Sequence, residues 1–392
     1  MNTGDYAVII AILIYFMVVL IIGFSYARRA NKSSSEYFLG GRKVGPWFTA
    51  LSAEASDMSG YLLMGLPGLA YFTGAADAGW TCIGLALGTY FNWLLVAKRL
   101  RRYSEKANDS ITLPGFYSNR FHDTKNVVST VAAVIILIFF CVYTGSCFVT
   151  CGKLFNTLFG MDYTVMMIFG AIIVFLYTMV GGYLSVVATD FVQGCLMFFA
   201  LAVVVIGSIA MAGGVENTAV FLSDIPGYLS MVQTATPEVD ADGVQYMIGG
   251  APIFGIPAEY GLLTIISTLS WGLGYFGMPQ VLVRFMGIRN DSEIKTSRRI
   301  AIVWVVVSMF CAIMIGIIGR YLFPAQYLTQ SGAESIFIFL SQVMLPGFLC
   351  GLVVSGILAA SMSSASSYLL ITGSSVAENI FRGVFKKDAT DN

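Results

Sequence analysis

The chain alternates long apolar runs with short polar segments. A helix needs about 20 apolar residues to cross a bilayer core about 30 Å thick, and this length recurs along the whole sequence. Several runs are well over that length, which predicts tilt or a break within the membrane. The pattern predicts nine spans, at 6–27, 44–72, 76–97, 125–158, 162–181, 190–213, 256–284, 298–322 and 343–373.

The second run contains polar residues where a membrane helix is normally apolar. The segment 52–60 reads Ser-Ala-Glu-Ala-Ser-Asp-Met-Ser-Gly, with two carboxylates, Glu54 and Asp57, and no Lys or Arg. Inserting a charged side chain at mid-membrane costs at least about 2.5–3.5 kcal/mol, so Glu54 and Asp57 are both candidate functional groups. Small residues there, with Pro67 beyond them, predict unwinding inside the membrane. The alternative is that Ser and Gly only permit close helix packing.

A cation fits an unwound helix of this kind. Freed backbone carbonyls, hydroxyls and one carboxylate are the hard oxygen ligands that alkali and alkaline-earth cations prefer. In the ninth span, Ala360, Ser363 and Ser364 follow i, i+3, i+4 spacing and share one helical face. That face offers neutral oxygens to the same ion, although serines in membrane helices also serve as packing contacts.

A third cluster, Ser-Trp-Gly-Leu-Gly-Tyr-Phe-Gly-Met-Pro at 270–279, lies in the seventh span. Its glycines and proline predict an irregular helix, and Trp271, Tyr275 and Phe276 offer aromatic faces to a cavity. A small organic solute would suit such a lining. Interfacial anchoring of the aromatic rings is the alternative.

Composition and charge make this an all-α polytopic membrane protein. The chain is 57% hydrophobic and 11% charged, against about 25% charged in soluble domains. Threading nine spans through a bilayer places 20 of the 22 Lys and Arg residues on one side, with only Lys153 and Arg320 opposite. The positive-inside rule then predicts an outside N-terminus and a cytoplasmic C-terminus.

The first run is predicted to be a retained helix. Asp5 precedes it and Arg28 and Arg29 follow it, which is the opposite polarity to a secretory signal. Arg284 and Arg320 lie near helix ends, where long side chains can reach the interface.

The sequence argues against an enzyme. It has no nucleotide-binding motif and no phosphate loop after a strand, and its one histidine, His122, makes most hydrolase triads impossible. We expect the lipid bilayer, a cation and a small solute as partners, and no nucleic acid.

Four segments resemble the sodium:solute symporter family, most closely its proline-transporting branch. They occur in order along the chain. They are YFLGGRKVGPWFTALSAEASDMSGYLLMGLPG (37–68), GGYLSVVATDFVQ (181–193), SWGLGYFGMPQVLVRFM (270–286) and GILAASMSSASSYLL (356–370).

This resemblance implies a leucine-transporter-like fold, with two inverted five-helix repeats after one extra helix, and sodium as the co-transported ion. Sodium would bind between the broken second span and the ninth. The resemblance assigns sodium to the carbonyls of Ala55, Met58 and Ala360 and the hydroxyls of Ser363 and Ser364, sodium coupling to Asp57, Ser59, Gly60 and Asp190, and the solute to Tyr143, Trp271, Tyr275 and Pro279.

The expected organisation is one transporter domain over 1–392. It comprises the extra helix at 6–27, a first repeat at 44–213, a partial second repeat at 256–373 and a cytoplasmic tail at 374–392. Family members continue with further helices, so we expect the second repeat to lack its last pair.

The function implied is sodium-coupled uptake of a small solute, L-proline foremost, by alternating access in the cell membrane. Three alternatives remain: a sodium symporter for pantothenate or a sugar, a membrane sensor module, or an inactive fragment lacking the last helices. Glu54 is an extra carboxylate for which the resemblance supplies no role.

Overall fold

The structure is a computed structural model that describes residues 3–386. The end of the predicted tail, including Lys387, lies outside the described residues. The architecture is almost entirely helical, with four two-residue strands. The helices are α1 (Thr3–Ser25), α2 (Ala27–Ala30), α3 (Ser34–Leu39), α4 (Pro46–Met58), α5 (Gly65–Thr73), α6 (Ala75–Phe91), α7 (Lys98–Lys106), α8 (Leu113–Arg120), α9 (Val127–Phe159), α10 (Tyr163–Met211), α11 (Val215–Ser223), α12 (Leu262–Leu269), α13 (Pro279–Gly287), α14 (Ile294–Leu322), α15 (Gln330–Ala333), α16 (Ile336–Met344) and α17 (Gly347–Ser374).

Shorter segments connect these helices. The strands pair antiparallel as two separate ribbons, β1 with β4 and β2 with β3. The strands are β1 (Gln233–Thr234), β2 (Met247–Ile248), β3 (Ala251–Pro252) and β4 (Ala258–Glu259); the 3₁₀ turns are Gly40–Arg42, Gly60–Leu62, Ser270–Phe276 and Asp291–Glu293; and the π-helical segments are Asn92–Ala97 and Ser375–Phe385.

The predicted break in the second span is confirmed. Helix α4 ends at Met58, and Ser59 has φ 49° and ψ −168°, a conformation that cannot continue a helix. A 3₁₀ turn follows, and α5 starts at Gly65. A Cβ atom on Gly60 would lie 2.8 Å from the Thr150 side chain, so the chain can pass this point only with a glycine.

The seventh span is broken as well. It consists of α12, the turn Ser270–Phe276 and α13, and Pro279 occupies the first turn of α13, where its missing N–H costs nothing. The ninth span, predicted at 343–373, is the single helix α17, which starts after Pro346. The short helix α16 precedes it and falls almost wholly outside the predicted run.

The fifth and sixth spans are separated by one residue instead of a loop. Gly182 has φ 59° and ψ −157° and interrupts α10, whereas residues 183–189, expected between the two spans, are helical. A side chain on Gly182 would meet the Tyr37 carbonyl at 2.8 Å. The helix therefore extends beyond both predicted spans, because one glycine suffices for the turn and most of the residues after it are buried.

The connections fall into two groups, as the alternation of spans requires. On one side, Arg42 pairs with Asp109 at 2.8 Å and Arg101 donates to the Ile288 carbonyl at 2.7 Å. On the other, Lys153 pairs with Glu334 at 2.6 Å. In each of these contacts, both segments belong to the side of the membrane that the distribution of basic residues assigns to them.

The long segment after α10 is not a plain loop. It forms α11 and the small strands, and it covers Arg320, which was expected to reach the interface. Arg320 is instead fully buried, donates to Gln245 Oε1 at 2.8 Å and lies over the rings of Tyr71 and Phe254. Arg320 was expected to contact water, and it contacts Gln245, 75 residues away in sequence, instead.

Helix α17 forms the centre of the bundle. It packs against α1, α9 and α10, and nearly all of its residues are buried. Its Gly, Ala and Ser side chains let the neighbouring backbones approach closely, as in other membrane helix interfaces. The core therefore surrounds the small-residue face that the sequence placed in the ninth span.

The approach of α6 to the turn 270–276 provides a test of packing. A Cβ atom on Gly272 would lie 2.0 Å from the Gly84 carbonyl oxygen, whereas a Cβ atom on Gly274 would meet nothing within 4 Å. We expect Gly272→Ala to lower the free energy of unfolding by about 1–3 kcal/mol, because two backbones must separate. Gly274→Ala is the matched control, with no loss expected. Thermal unfolding in detergent measures both, and equal melting temperatures would contradict this packing.

Candidate functional site

The break in α4 meets the small-residue face of α17. The Ser363 hydroxyl donates to the Ala55 carbonyl at 2.8 Å and lies 3.1 Å from the Ala360 carbonyl. The Ala55 carbonyl is available because α4 ends three residues later, so the usual donor four residues on is no longer helical. Three of the predicted sodium ligands thus meet at one point.

The other two predicted ligands lie beside this point. Met58 is buried in the same core cluster as Ala55 and Ala360. The Ser364 hydroxyl is fully buried and, among the described residues, has no hydrogen-bond partner. Buried polar atoms without a partner are uncommon in native structures and point to a missing ligand. A small cation beside Ser364 and Ser363 would satisfy both hydroxyl oxygens.

The three predicted coupling residues around the break, Asp57, Ser59 and Gly60, make different contacts. Asp57 is half-buried and accepts a hydrogen bond from Gln280 Nε2 at 3.3 Å. The Ser59 hydroxyl accepts a bond from the Tyr61 N–H at 3.4 Å. Gly60 lies against Thr150 and provides the close approach described above. Asp57, one residue before the end of α4, therefore faces α13 next to the ligand cluster.

A small cavity lies directly beside the break. Its volume is about 80 Å³, and its wall includes Asp57, Ser59, Tyr143, Trp271 and Tyr275. Three of the four predicted solute residues therefore line one cavity together with two coupling residues.

The fourth predicted solute residue is not on this wall. Pro279 is buried at the start of α13, directly after Met278, which does line the cavity. The aromatic wall is held by ring contacts: Tyr143 stacks on Tyr368 with ring centroids 4.7 Å apart, and Trp271 packs on Tyr61, which also lines the cavity, at 5.3 Å.

Asp190 lies in a buried ion pair. Its Oδ2 atom accepts hydrogen bonds from Arg284 Nη2 at 3.0 Å and from the Ser52 hydroxyl at 2.6 Å. Arg284 also donates to the Ser367 hydroxyl at 2.5 Å and to Ser52 at 3.0 Å. Both charged side chains are fully buried. One ion pair thus joins α4, α10, α13 and α17.

The sequence reasoning missed the role of Arg284. It predicted that this side chain would reach the interface, and the structure shows it inside the bundle over the Tyr183 ring. The available signal was that Asp190 and Arg284 both lie within apolar runs, so that pairing would neutralise two costly groups at once.

The ion pair and the cation cluster are stacked. On α17, Ser363 contacts the cluster and Ser367 contacts Arg284, and these serines are four residues apart. On α4 the order is reversed, with Ser52 at the ion pair and Ala55, three residues later, at the cluster. One helical turn, about 5–6 Å along the axis, therefore separates the two features.

Glu54, the carboxylate without an assigned role, has a defined partner. It is buried, and its Oε1 atom accepts a hydrogen bond from Trp93 Nε1 at 3.0 Å. Trp93 packs on Phe285, with ring centroids 4.4 Å apart. Glu54 therefore points away from the Ser363 contact, toward the π-helical segment after α6.

Two broken helices at corresponding places, with a cavity and buried polar groups at the breaks, are features of secondary transporters. The family model of the sodium:solute symporter family matches residues 37–392. This chain belongs to the sodium:solute symporter family.

Similar proteins and a similar solved structure agree with this family assignment. The sodium/proline symporters of Staphylococcus aureus strains JH9 and NCTC 8325 are each 41% identical to this chain over 373 residues, which cover 95% of this chain and 68% of the relative. A solved structure of a Na⁺-coupled sialic acid symporter in a substrate-bound, outward-open state superposes with a TM-score of 0.80, at 19% identity, over 100% of this chain and 77% of that one. The predicted leucine-transporter-like fold class is thereby confirmed; the repeat boundaries stay a prediction.

The buried ion pair is testable by removing each partner. Arg284→Met or Asp190→Asn alone leaves an uncompensated buried group, and we expect each to cost about 3–5 kcal/mol of stability. The double variant removes both charges and is expected to recover much of that loss. Thermal unfolding of the four proteins forms a double-mutant cycle. Additive losses would contradict the pairing.

Proposed function

We propose that this chain is a sodium-coupled symporter that takes up L-proline by alternating access. The observation that carries the proposal is the contact between Ser363 and the Ala55 carbonyl, which joins α17 to the broken end of α4 at 2.8 Å. The sodium/proline symporters at 41% identity support the choice of ion and solute.

The chemistry of the cluster supports a monovalent ion. Its proposed ligands are three carbonyls and two hydroxyls, from Ala55, Met58, Ala360, Ser363 and Ser364. Ca²⁺ is usually bound through several carboxylates, whereas this set is neutral with Asp57 nearby. Within residues 3–386 no group of three or more His, Cys, Asp or Glu side chains could hold a metal ion.

The cavity supports a small solute. Ligand pockets for drug-sized molecules run to about 300–1,000 Å³, and the cavity here has about 80 Å³. Trp271 and Tyr275 supply apolar faces, while Asp57 and the Ser59 and Tyr143 hydroxyls supply polar ones. A small zwitterion with an apolar ring matches this division better than a sugar with hydroxyls on every side. Pro279 would act by setting the start of α13 behind the wall.

The driving force is sufficient with one ion. Moving one charge through 100 mV contributes about 2.3 kcal/mol. At about 1.4 kcal/mol per tenfold change, this corresponds to roughly fiftyfold accumulation before any sodium gradient is added. Sodium would join α4 to α17, the solute would bind beside the break, and movement of one bundle would open the other side.

Asp190 would contribute through Arg284. Because its Oδ2 atom already accepts from Arg284 and Ser52, the carboxylate is neutralised in this conformation. Its second oxygen, Oδ1, has no partner among the described residues. A sodium ion leaving the cluster one turn away would meet this oxygen, which supports a role in ion release.

Membership of a transporter family supports transport and not catalysis as the activity. The distribution of basic residues supports an outside N-terminus and a cytoplasmic C-terminus, with the spans in the cell membrane. The S. aureus relatives are named sodium/proline symporters, which favours transport over a role as a sensor module.

Uptake by the purified chain in proteoliposomes tests the proposal. With sodium outside and an inside-negative potential, we expect labelled proline to accumulate, and replacement of sodium by potassium to abolish accumulation. Unlabelled pantothenate and galactose serve as competitors and should leave proline uptake unchanged. Uptake indifferent to sodium, or displaced by either competitor, would overturn the assignment.

Removal of the Ser363 hydroxyl tests the sodium ligands. Ser363→Ala deletes an oxygen that bridges two helices, and a lost hydrogen bond or ligand of about 1–3 kcal/mol predicts a sodium affinity about 5- to 150-fold weaker.

Ser355→Ala is the matched control, because its hydroxyl bonds only to the Gly351 carbonyl of the same helix. The sodium concentration that gives half-maximal proline uptake is the measurement. An unchanged value in Ser363→Ala would remove this residue from the site.

A further inference from the structure

A groove on the outer surface of the bundle lies away from the cavity and the ion pair. It occupies about 700 Å³ between α4, α10 and α14, and every part of its exposed wall is apolar. Trp47, Phe198 and Val303 stand at its rim, and Arg299 stands at one end. We propose that this groove binds one anionic phospholipid, with an acyl chain in the groove and the phosphate at Arg299.

The floor of the groove is built by close helix contacts. The Trp304 indole N–H donates to the Gly194 carbonyl at 3.1 Å, and both Trp304 and Leu51 are almost fully buried. Helix α10 lies close to α4 here, since a Cβ atom on Gly194 would be in ordinary contact with the Ala55 Cβ at 3.4 Å. The concavity is therefore a feature of how these helices meet.

The charge at the end of the groove selects the headgroup. Arg299 is exposed and makes no ion pair among the described residues. Three other arginines on that side are engaged: Arg42 with Asp109, Arg102 with Asp291, and Arg298 over the Tyr90 ring at 5.5 Å. The groove wall contains no acidic residue. An anionic group is thus the complement that Arg299 lacks.

The geometry along α14 matches a lipid. Along α14 the lining residues run from Arg299 through Ile300 to Val303 and Trp304, so the charge lies at one end and Val303 lies about 6 Å deeper along the helix. A phospholipid has the same order, with its phosphate at the interface and its chains below. Arg299 lies at the end of the bundle that carries most of the basic residues, where anionic lipids are attracted to juxtamembrane Lys and Arg.

Other occupants fit less well. A zwitterionic phospholipid would fill the apolar part but would add no net charge opposite Arg299. A second copy of this chain would have to place a carboxylate there. The lipid site does not depend on the transport proposal, because none of its residues belongs to the cation cluster or to the cavity.

Tryptophan fluorescence gives a direct test. The full chain is reconstituted in phosphatidylcholine nanodiscs that contain a fixed fraction of one lipid brominated on its acyl chains. The brominated lipid is phosphatidylglycerol in one sample and phosphatidylcholine in the other, at the same fraction. Brominated chains quench nearby indoles, and Trp47 and Trp304 line the groove. We expect brominated phosphatidylglycerol to bind about fivefold more strongly, the factor that one arginine near one anionic headgroup contributes.

Two arginine variants separate the site from general charge. Arg299→Gln should bring the ratio of the two binding constants to about one. Arg298→Gln removes the same charge one residue away and should preserve the ratio, since that side chain lies over Tyr90. Trp47→Phe should remove part of the quenching that depends on phosphatidylglycerol, which locates the effect in the groove.

Three results would overturn the proposal. They are equal quenching by the two brominated lipids in the unmodified chain, an equal loss of preference in both arginine variants, and a dimeric mass together with Trp47 unquenched by either lipid. The last result would assign the groove to a second copy of the chain.

Discussion

Backbone carbonyls inside a membrane must find a partner, and the structure around α4 depends on this constraint. The helix stops at Met58, and the Ala55 carbonyl then takes the Ser363 hydroxyl as its donor. Only a helix with small residues can bring a hydroxyl this close, because larger side chains would hold the two backbones apart. The interrupted helix α4 therefore depends on the Ser- and Ala-rich helix α17 for this hydrogen bond, although the two are some 300 residues apart.

A second polar layer lies one turn from this contact. The ion pair of Asp190 and Arg284 carries no net charge, and Ser52 and Ser367 supply further hydrogen bonds. A buried pair contributes little net stability against an apolar replacement, yet losing one partner is costly. The pair therefore holds four helices in one register around the neutral oxygen cluster, and beside that cluster Asp57 makes no ion pair with any of the described residues.

Features that depend on local residue type were predictable from the sequence. Small residues and prolines predicted both broken spans, i, i+3, i+4 spacing predicted the face that Ala360 shares with Ser363 and Ser364, and the aromatic cluster predicted the cavity wall. Pairings between distant segments were not predictable. The apolar run around Arg284 shows that this charge needs a partner, but nothing local identifies that partner as Asp190, 94 residues away, and Glu54 acquires its role only when Trp93 is folded against it.

The two halves of the broken helix are anchored to different parts of the molecule. Glu54 bonds to Trp93, which ties α4 to the segment after α6. Beyond the break, the Tyr228 hydroxyl donates to the Ala70 carbonyl at 2.8 Å, and Gly68 lies against the backbone of Glu334. Within the break itself the backbone bonds are few, with the Leu62 N–H donating to the Ser59 carbonyl at 3.4 Å and the Met64 N–H to the Gly60 carbonyl at 3.0 Å. Relative movement of α4 and α5 about Ser59 therefore disrupts fewer bonds than bending either helix, and it would open or close the cavity beside the break while α4 keeps its contacts with α10 and α17.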